Sequence, residues 1–458
     1  LAKLWHKNYE LNKLVEAFTV GEDYQLDTNL LIADCTASLA HALMLEAVGI
    51  LSKSECAALK KELLAVIELA DKGMFQIRRD MEDCHTAIEN HLVEKLGDIG
   101  KKIHTGRSRN DQIIAALRLY TKDFLLEFQS SCVILIKSLL DMTKQHQDVP
   151  MPGRTHMQIA MPSSVGLWAL SYAEQLMDDL SLVDTAYTLN DMCPLGSAAS
   201  YGVPLEFDRE LVQKLLGFSK LQNNVLYVNN SRGKIESVII DALEQIVLTL
   251  SKLAEDLILF SMPEFAYFTL PQELCSGSSI MPQKKNPCAL ELVRAKSASL
   301  SAYSLHIKSI IRALPSGYNR DFQETKAPFI RGINTALACV RVMSLSMQKL
   351  KINQENLLKG FIPEIYATDA ALELVKQGVP FRDAYKEIGL HLDKLKKYDP
   401  KQIIKIRKAI GNTGNLCFEK VETEVEKSEQ AYTEKSKHVH NTYKKLLGKP
   451  YRLFKAIF

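Results

Sequence analysis

Apolar residues along the chain fall into helical periods. Over 236–262, Ile239, Ile246, Leu253 and Phe260 recur every seven residues, and Leu243, Leu250 and Leu257 do the same beside them. This alternation of four and three lays two adjacent apolar seams on one helix, the pattern of a bundle or coiled coil. At 1.5 Å per residue such a helix would be roughly 40 Å long. Its apolar residues continue outside the seams, so neighbours on several sides are expected. The stretches 111–146, 164–190 and 288–312 also read as long helices. In the second, Leu176, Leu180 and Val183 share one face at i, i+4, i+7.

Helix breakers are sparse and clustered. Gly and Pro number 21 and 15 and gather near 150–153, 194–204, 277–287, 315–317 and 411–414. The stretches between are rich in Leu, Ala, Ile, Glu and Lys, which favour helix. No run of alternating strands with turn signals is visible, no βαβ rhythm, and no repeat of solenoid period. The expected fold is therefore all-α: a central bundle of long helices with smaller helical domains at each end. The expected division is 1–108 for the N-terminal helical domain, 109–355 for the bundle with its polar loops, and 356–458 for a C-terminal helical domain with a charged tail. A bundle with this much apolar face usually completes its core by oligomerising. The tail after Cys417 is Lys/Glu-rich to about Ser436 and ends in an apolar patch. It reads as a solvated helix followed by a segment that docks on the protein; a partner or membrane-surface contact is the alternative.

Composition narrows the classes. The 458 residues are 47% hydrophobic and 24% charged, ordinary for a globular protein, and the length suggests two or three structural units. A net charge of +3 is too small to argue for nucleic acid or an anionic membrane as main partner. The 9 cysteines are an odd number without a Cys-x-x-Cys pair, which disfavours a disulfide framework or structural zinc and fits a reducing cytoplasm. The start, Leu1-Ala2-Lys3-Leu4-Trp5, lacks a basic-then-apolar signal pattern, and no membrane span is expected.

Four polar, Gly-punctuated segments stand out from the helices. In 104–112, Arg107 and Arg109 with Thr105, Ser108 and Asn110 surround a short Gly turn at a helix start. Such a cluster can bind carboxylate through charge-assisted bonds and free backbone N–H groups, or be a plain N-cap with solvated arginines. In 151–158, His156 sits beside Thr155 and Gln158, just before a helix containing Trp168. It is a structural histidine or an acid–base group near pH 7. The segment 276–287 joins Gly277, Ser278, Ser279, Lys284, Lys285 and Asn286, with Glu291 following. It is an exposed basic turn, or a mobile loop offering a proton acceptor, backbone donors and a cation for a developing oxyanion. In 314–326, Gln323 and Lys326 can share a helix face with Tyr318 just before them, or form a polar turn leading into a helix. There is no phosphate-binding Gly-x-x-x-x-Gly-Lys-Ser/Thr loop, no Gly-x-Gly-x-x-Gly after a strand, no His-Glu-x-x-His, no Gly-x-Ser-x-Gly elbow and no metal-site spacing.

These segments, in this order, resemble the fumarase/aspartase superfamily. Ser278-Ser-Ile-Met-Pro-Gln-Lys-Lys-Asn-Pro287 looks like its signature loop, and His104-Thr-Gly-Arg-Ser-Arg-Asn-Asp-Gln112, Gly153-Arg-Thr-His156 and Pro194-Leu-Gly-Ser-Ala-Ala199 narrow the match to the argininosuccinate lyase family. The resemblance runs from about Leu4 to Cys417. It implies a homotetramer with a twenty-helix core, active sites built from three subunits, and reversible elimination of argininosuccinate to arginine and fumarate without cofactor or metal. By position, Ser278 looks like the general base, Lys284 and Asn286 like stabilisers of the intermediate, and His156, oriented by Glu291, like its proton-handling partner. Asn110, Thr155, Tyr318, Gln323 and Lys326 look like substrate contacts, with Arg109, His85, Asp27 and Arg232 as neighbours. Departures occur at Arg154, where many members have Tyr, in 34–38, and in 18–24, where the family's substrate-contact Ser has no clear match. Arg107, Arg109, Asn110 and 318–326 weigh against sister lyases such as adenylosuccinate lyase or aspartase. Intact Ser278, His156, Lys284 and Glu291 weigh against a purely structural relative of the lens-crystallin kind or a partner-recruiting scaffold.

Overall fold

The computed structural model describes residues 12–456. An N-terminal layer contains helices α1 (Leu31–Ala47), α2 (Lys53–Asp71) and α3 (Cys84–Leu96). Five long helices follow: α4 (Arg109–His146), α5 (Val165–Asn190), α6 (Lys234–Ser261), α7 (Cys288–Ile311) and α8 (Lys326–Lys349). Helices α9 (Ala367–Lys376) and α10 (Phe381–Leu390) form a hairpin outside the bundle, and α11 (Phe418–Leu447) returns along it. The all-α expectation holds for the architecture.

Both seams of α6 are buried throughout, from Ile239 and Leu243 to Leu257 and Phe260. They face α5, α7 and α8, so the extra apolar residues outside a single seam are used. Close approach of α8 to α6 depends on Gly332, because a Cβ there would lie 2.6 Å from Cδ1 of Ile240. One continuous apolar cluster runs from Leu30 through the five long helices to Phe454. A second, smaller one holds Phe361, Ile365, Tyr366, Ile403 and Ile404.

Among the described residues the expectation of an all-helical chain without strand runs fails at three short two-stranded pairings, of which the longest bears on the site. Residues 150–164 form an antiparallel hairpin, β1 (Pro150–Thr155) and β2 (Gln158–Ser164), so His156 lies at a turn and not at a helix entry. Pro150, Pro152 and Pro162 obscure the signal, yet a two-stranded ribbon is all edge and tolerates them. Ser164 then caps α5 by accepting from the Leu167 N–H at 3.1 Å.

The tail docks on the protein. Leu453 and Phe454 are buried, and Phe454 meets Tyr120 and Phe124 of α4 edge-on. A buried carboxylate anchors this strap: Asp123 accepts from Leu453 N at 2.6 Å, Phe454 N at 3.0 Å and His440 Nε2 at 2.8 Å, and Arg452 pairs with Glu127 at 2.8 Å beside it. Asp123→Ala leaves these donors buried without an acceptor, at a cost of about 1–3 kcal/mol. Hydrogen exchange at 451–456 should accelerate selectively in this variant; unchanged protection there would show that the apolar contacts and the Asp71 and Glu127 pairs hold the strap without it.

Candidate active site

A cleft of about 650 Å³ opens where the start of α4 meets the segments before α1, α3 and α8. Ser108 caps α4 and Asp111 returns the favour, its Oδ1 accepting from Ser108 N at 3.0 Å. The other oxygen of Asp111 accepts from Gly196 N at 3.1 Å and Ala198 N at 2.9 Å. This pins the 196–198 turn, in which Ala198 has a φ of 50°, against the helix start. The cleft thus receives the N-terminal end of a 38-residue helix, a natural place for an anion.

Charged groups crowd the walls. Arg107, Arg109, Arg232, Arg320 and Lys326 face it together with Asp23, Asp27, Glu82 and Asp83. Lys326 is buried and bridges Asp23 Oδ1 at 2.6 Å and Asp27 Oδ1 at 2.5 Å. Burial alone would raise Asp27, but Lys326, His85 and the Cys84 N–H outweigh it and hold its carboxyl below the ordinary value. Asp23 goes the other way, because burial and the nearby Asp27 charge prevail over Lys326. Lys326 itself is raised, the two carboxylates outweighing its desolvation.

Arg109 is held by Glu82 at 2.7 Å, Asp83 at 3.1 Å and Thr86 Oγ1 at 2.8 Å, an arrangement that fixes its guanidinium before any ligand arrives. Arg107 is buried and donates to Ser38 Oγ at 2.9 Å. His104 is pushed down to about 4 by burial and by the two arginines, which keeps it neutral near pH 7. Arg232 stands over the Phe322 ring, 6.0 Å from its centre. Its neighbour Ser231 accepts from Arg118 of α4 at 2.8 Å. Gln323 donates to the Thr19 carbonyl at 3.0 Å, and Tyr318 is partly exposed at the rim.

Of the residues singled out in the sequence, Asp27, His85, Arg109, Asn110, Arg232, Tyr318, Gln323 and Lys326 are brought together here. Thr155, His156, Ser278, Lys284, Asn286 and Glu291 do not line this cleft. His104 and Arg107, from the polar segment 104–112, line it too, and Asp23, Glu82 and Asp83 do so beyond the residues expected. Their signal was a density of charge around short helix starts, as in Glu82-Asp-Cys-His-Thr86, which also suits ordinary caps; Asp83 does cap α3.

Of the remaining residues, Glu291 lies in the first turn of α7 and the others sit on two projections. In the first, His156 and Met157 have φ of 53° and 63°, a two-residue turn of the type that usually takes Asn-Gly. A histidine and a methionine in the left-handed region are strained and need external support. Arg154 supplies it: it donates to the Met157 carbonyl at 3.0 Å and to Tyr267 OH at 3.1 Å, and stacks 4.6 Å from the Phe265 ring centre. The departure at Arg154 is thus a brace for the turn that carries His156.

The second projection is a loop closed by reciprocal backbone bonds between Ser276 and Asn286, 2.9 and 2.8 Å long. Inside it, Ser278 Oγ accepts from Met281 N at 3.1 Å and Ile280 N at 3.4 Å. Two N–H groups aimed at one hydroxyl oxygen favour its negatively charged form. Ile280 is 83% exposed at the loop tip. Among the described residues of one chain, His156 and Glu291 make no hydrogen bond or ion pair with each other, so the expected orientation of His156 by Glu291 is not formed within a single subunit.

Comparison with known proteins identifies the chain as a lyase. The sequence model of a family described as Lyase matches residues 8–301. The chain belongs to the argininosuccinate lyase family. It is 44% identical to the argininosuccinate lyase of Thermotoga neapolitana over 84% of this chain and 97% of that one, and 42% identical to that of Phocaeicola vulgatus over 92% and 94%. Among solved structures, an EDDS lyase in complex with formate superposes with a TM-score of 0.81 at 22% identity, covering 96% of this chain and 95% of that one. The class II fumarase of Schistosoma mansoni gives 0.68 at 18% identity, over 85% and 94%. These last two share the fold.

The Lys326 pair sets a pH-dependent test. Asp27 is lowered, so its stabilisation is complete above an unfolded value of about 3.9 and lost as pH falls through the lower folded value. Lys326 is raised, so its share is present below about 10.4 and lost only as pH rises through the higher folded value. Lys326→Met should destabilise the protein by about 3–5 kcal/mol at pH 7, because it strands buried carboxylates. Urea unfolding at pH 7 and pH 3 checks this. The gap between parent and variant should narrow at pH 3, where protonation of Asp27 removes the stranded charge; a constant gap would assign the loss to packing.

Proposed function

We propose that the protein catalyses the β-elimination of argininosuccinate to arginine and fumarate, in reversible fashion, as a homotetramer whose active sites combine the cleft of one subunit with the two projections of others. The observation that carries this reading is the charge pattern of the cleft. Argininosuccinate brings carboxylates, an ammonium and a guanidinium in one molecule. A wall holding Arg107, Arg109, Arg232, Arg320 and Lys326 among Asp23, Asp27, Glu82 and Asp83 can meet both signs.

The chemistry then divides among the projections. Ser278 takes the proton from the carbon beside a succinyl carboxylate. Its oxyanion is supported by the Ile280 and Met281 N–H groups. The carbanion spreads its charge into that carboxylate, and Lys284, Asn286 and the N-terminal end of α4 with Asn110 bind this doubly charged form better than the ground state. His156, with Glu291 from another subunit orienting it, hands a proton to the departing guanidine. Thr155 beside it, and Tyr318 and Gln323 at the rim, hold the substrate. Expulsion of water when loop 277–285 closes strengthens each of these interactions.

Oligomerisation has its own support. Leu182, Leu248, Leu305 and Leu345 stand 41–62% exposed on four different bundle helices, α5 to α8. Such faces are usually completed by copies of the same chain. Among the described residues no single helix is long and apolar enough to cross a membrane. A cytoplasmic place in arginine synthesis fits this reading.

Two measurements test it. Fumarate formation from argininosuccinate, followed by ultraviolet absorbance, should fall roughly 10²–10³-fold in Ser278→Ala, the scale for losing one key group of this kind. Mixed tetramers of Ser278→Ala and Lys326→Met chains, co-refolded, should regain part of the activity that neither has alone. No recovery in well-assembled mixed tetramers would overturn the shared site; full turnover in Ser278→Ala would move the base elsewhere.

A further inference from the structure

One corner of the cleft gathers donors of metal-ligating chemistry. Asp27, Cys84 and His85 are all buried, and one ligand atom from each lies within 4.8 Å of the others. Asp34 stands beside them, its Oδ2 at 2.9 Å from His85 Nδ1 and 3.9 Å from Cys84 Sγ. The Cys84 sulfur is 3.8 Å from the same imidazole nitrogen. A tetrahedral zinc site, with Zn–S about 2.3 Å and Zn–N about 2.0 Å, sets its sulfur and nitrogen ligands roughly 3.5 Å apart. The sulfur and the imidazole nitrogen are therefore within a few tenths of an ångström of ligating geometry, with Asp27 close by.

A further buried atom points to a ligand. Among the described residues, Asp34 Oδ1 has no hydrogen-bond partner. In a buried site such an atom is normally satisfied. With Nδ1 as the imidazole ligand, Asp34 stands close enough to join the same ion.

We propose that Asp27, Cys84 and His85, with Asp34 beside them, bind a thiophilic divalent cation, and that the bound ion excludes substrate from the cleft. A thiol and an imidazole select zinc-like ions over magnesium or calcium. The site holds more negative than positive charge once the thiol is ionised, and a dication compensates what Lys326 alone cannot. Binding transfers the Cys84 proton to solvent and replaces the Lys326–Asp27 contact with a metal–carboxylate bond. Because Asp27, His85 and Lys326 all face the cleft, the ion and the substrate compete for the same wall. The site is inhibitory and takes no part in the elimination. Its inhibitory consequence rests on the reading of the cleft as the substrate site; the ion binding does not.

Titration of the full-length protein with Co²⁺ tests the site directly. A thiolate-to-cobalt charge-transfer band should appear in the near ultraviolet. Cys84→Ser should abolish the band, while Cys35→Ser, which alters the other thiol beside Asp34, should keep it. His85→Gln provides a second variant should Cys84→Ser fold poorly by circular dichroism; it should weaken Zn²⁺ binding by at least roughly 10–100-fold in calorimetry. In the parent, Zn²⁺ should inhibit fumarate formation reversibly, with chelator restoring it, and Cys84→Ser should escape this inhibition. No band in the parent, or an equal band in Cys84→Ser, overturns the site. Inhibition that persists in Cys84→Ser overturns the exclusion of substrate. A parent without turnover would sink the functional reading, and the cobalt band would still decide the metal site.

Discussion

The buried carboxylate of Asp111 holds the active cleft in shape. It closes the cap of the longest helix through Ser108 and ties down the turn at Gly196 and Ala198 with its other oxygen. Burial raises this carboxyl, and the four backbone and charge partners around it pull the other way. The residues flanking the cap, Arg107 before it and Arg109 and Asn110 after it, are positioned by that anchor. The helix could not present free N–H groups to a ligand if its first turn frayed, and the arginines could not be aimed from a mobile loop. The cost of burying one acid is therefore offset by the order it imposes on a site made mostly of charge.

The long helices were legible in the sequence because burial on several sides forces a dense and periodic apolar pattern. The seams of α6 lie where the heptads place them, and the observed limits of α4, α5 and α7 fall within about two residues of expectation. The hairpin at 150–164 was not legible. Its prolines read as breakers, and its turn uses His156 and Met157 where local preference asks for Asn and Gly. Tertiary support from Arg154 overrides that preference, and no window of local sequence can register a stack on Phe265 or a bond to Tyr267. The site divides in the same way. Arg109, Asn110 and Lys326 were marked by motif, whereas Asp23 and Glu82 were hidden because an acidic residue near a helix start is common for reasons of capping alone.

The separation of the cleft from the two projections has a physical logic. The cleft is pre-organised: Arg109 is fixed by three partners and Lys326 by two. A polar wall built this way pays little reorganisation when a charged ligand arrives. The projections are the opposite. Ile280 and Met157 are exposed apolar tips that gain only when another surface covers them. A rigid, charged cavity joined to apolar-tipped loops lets binding of the substrate and exclusion of water be carried by different parts. In the proposed mechanism the cleft supplies recognition without moving, and closure would supply the low-dielectric surroundings in which the Ser278 oxyanion and the carbanion are tolerable. Strain at His156 belongs to this second part. A turn braced by Arg154 holds the strain, and in the proposed tetramer a neighbouring subunit and the substrate would give His156 its partners.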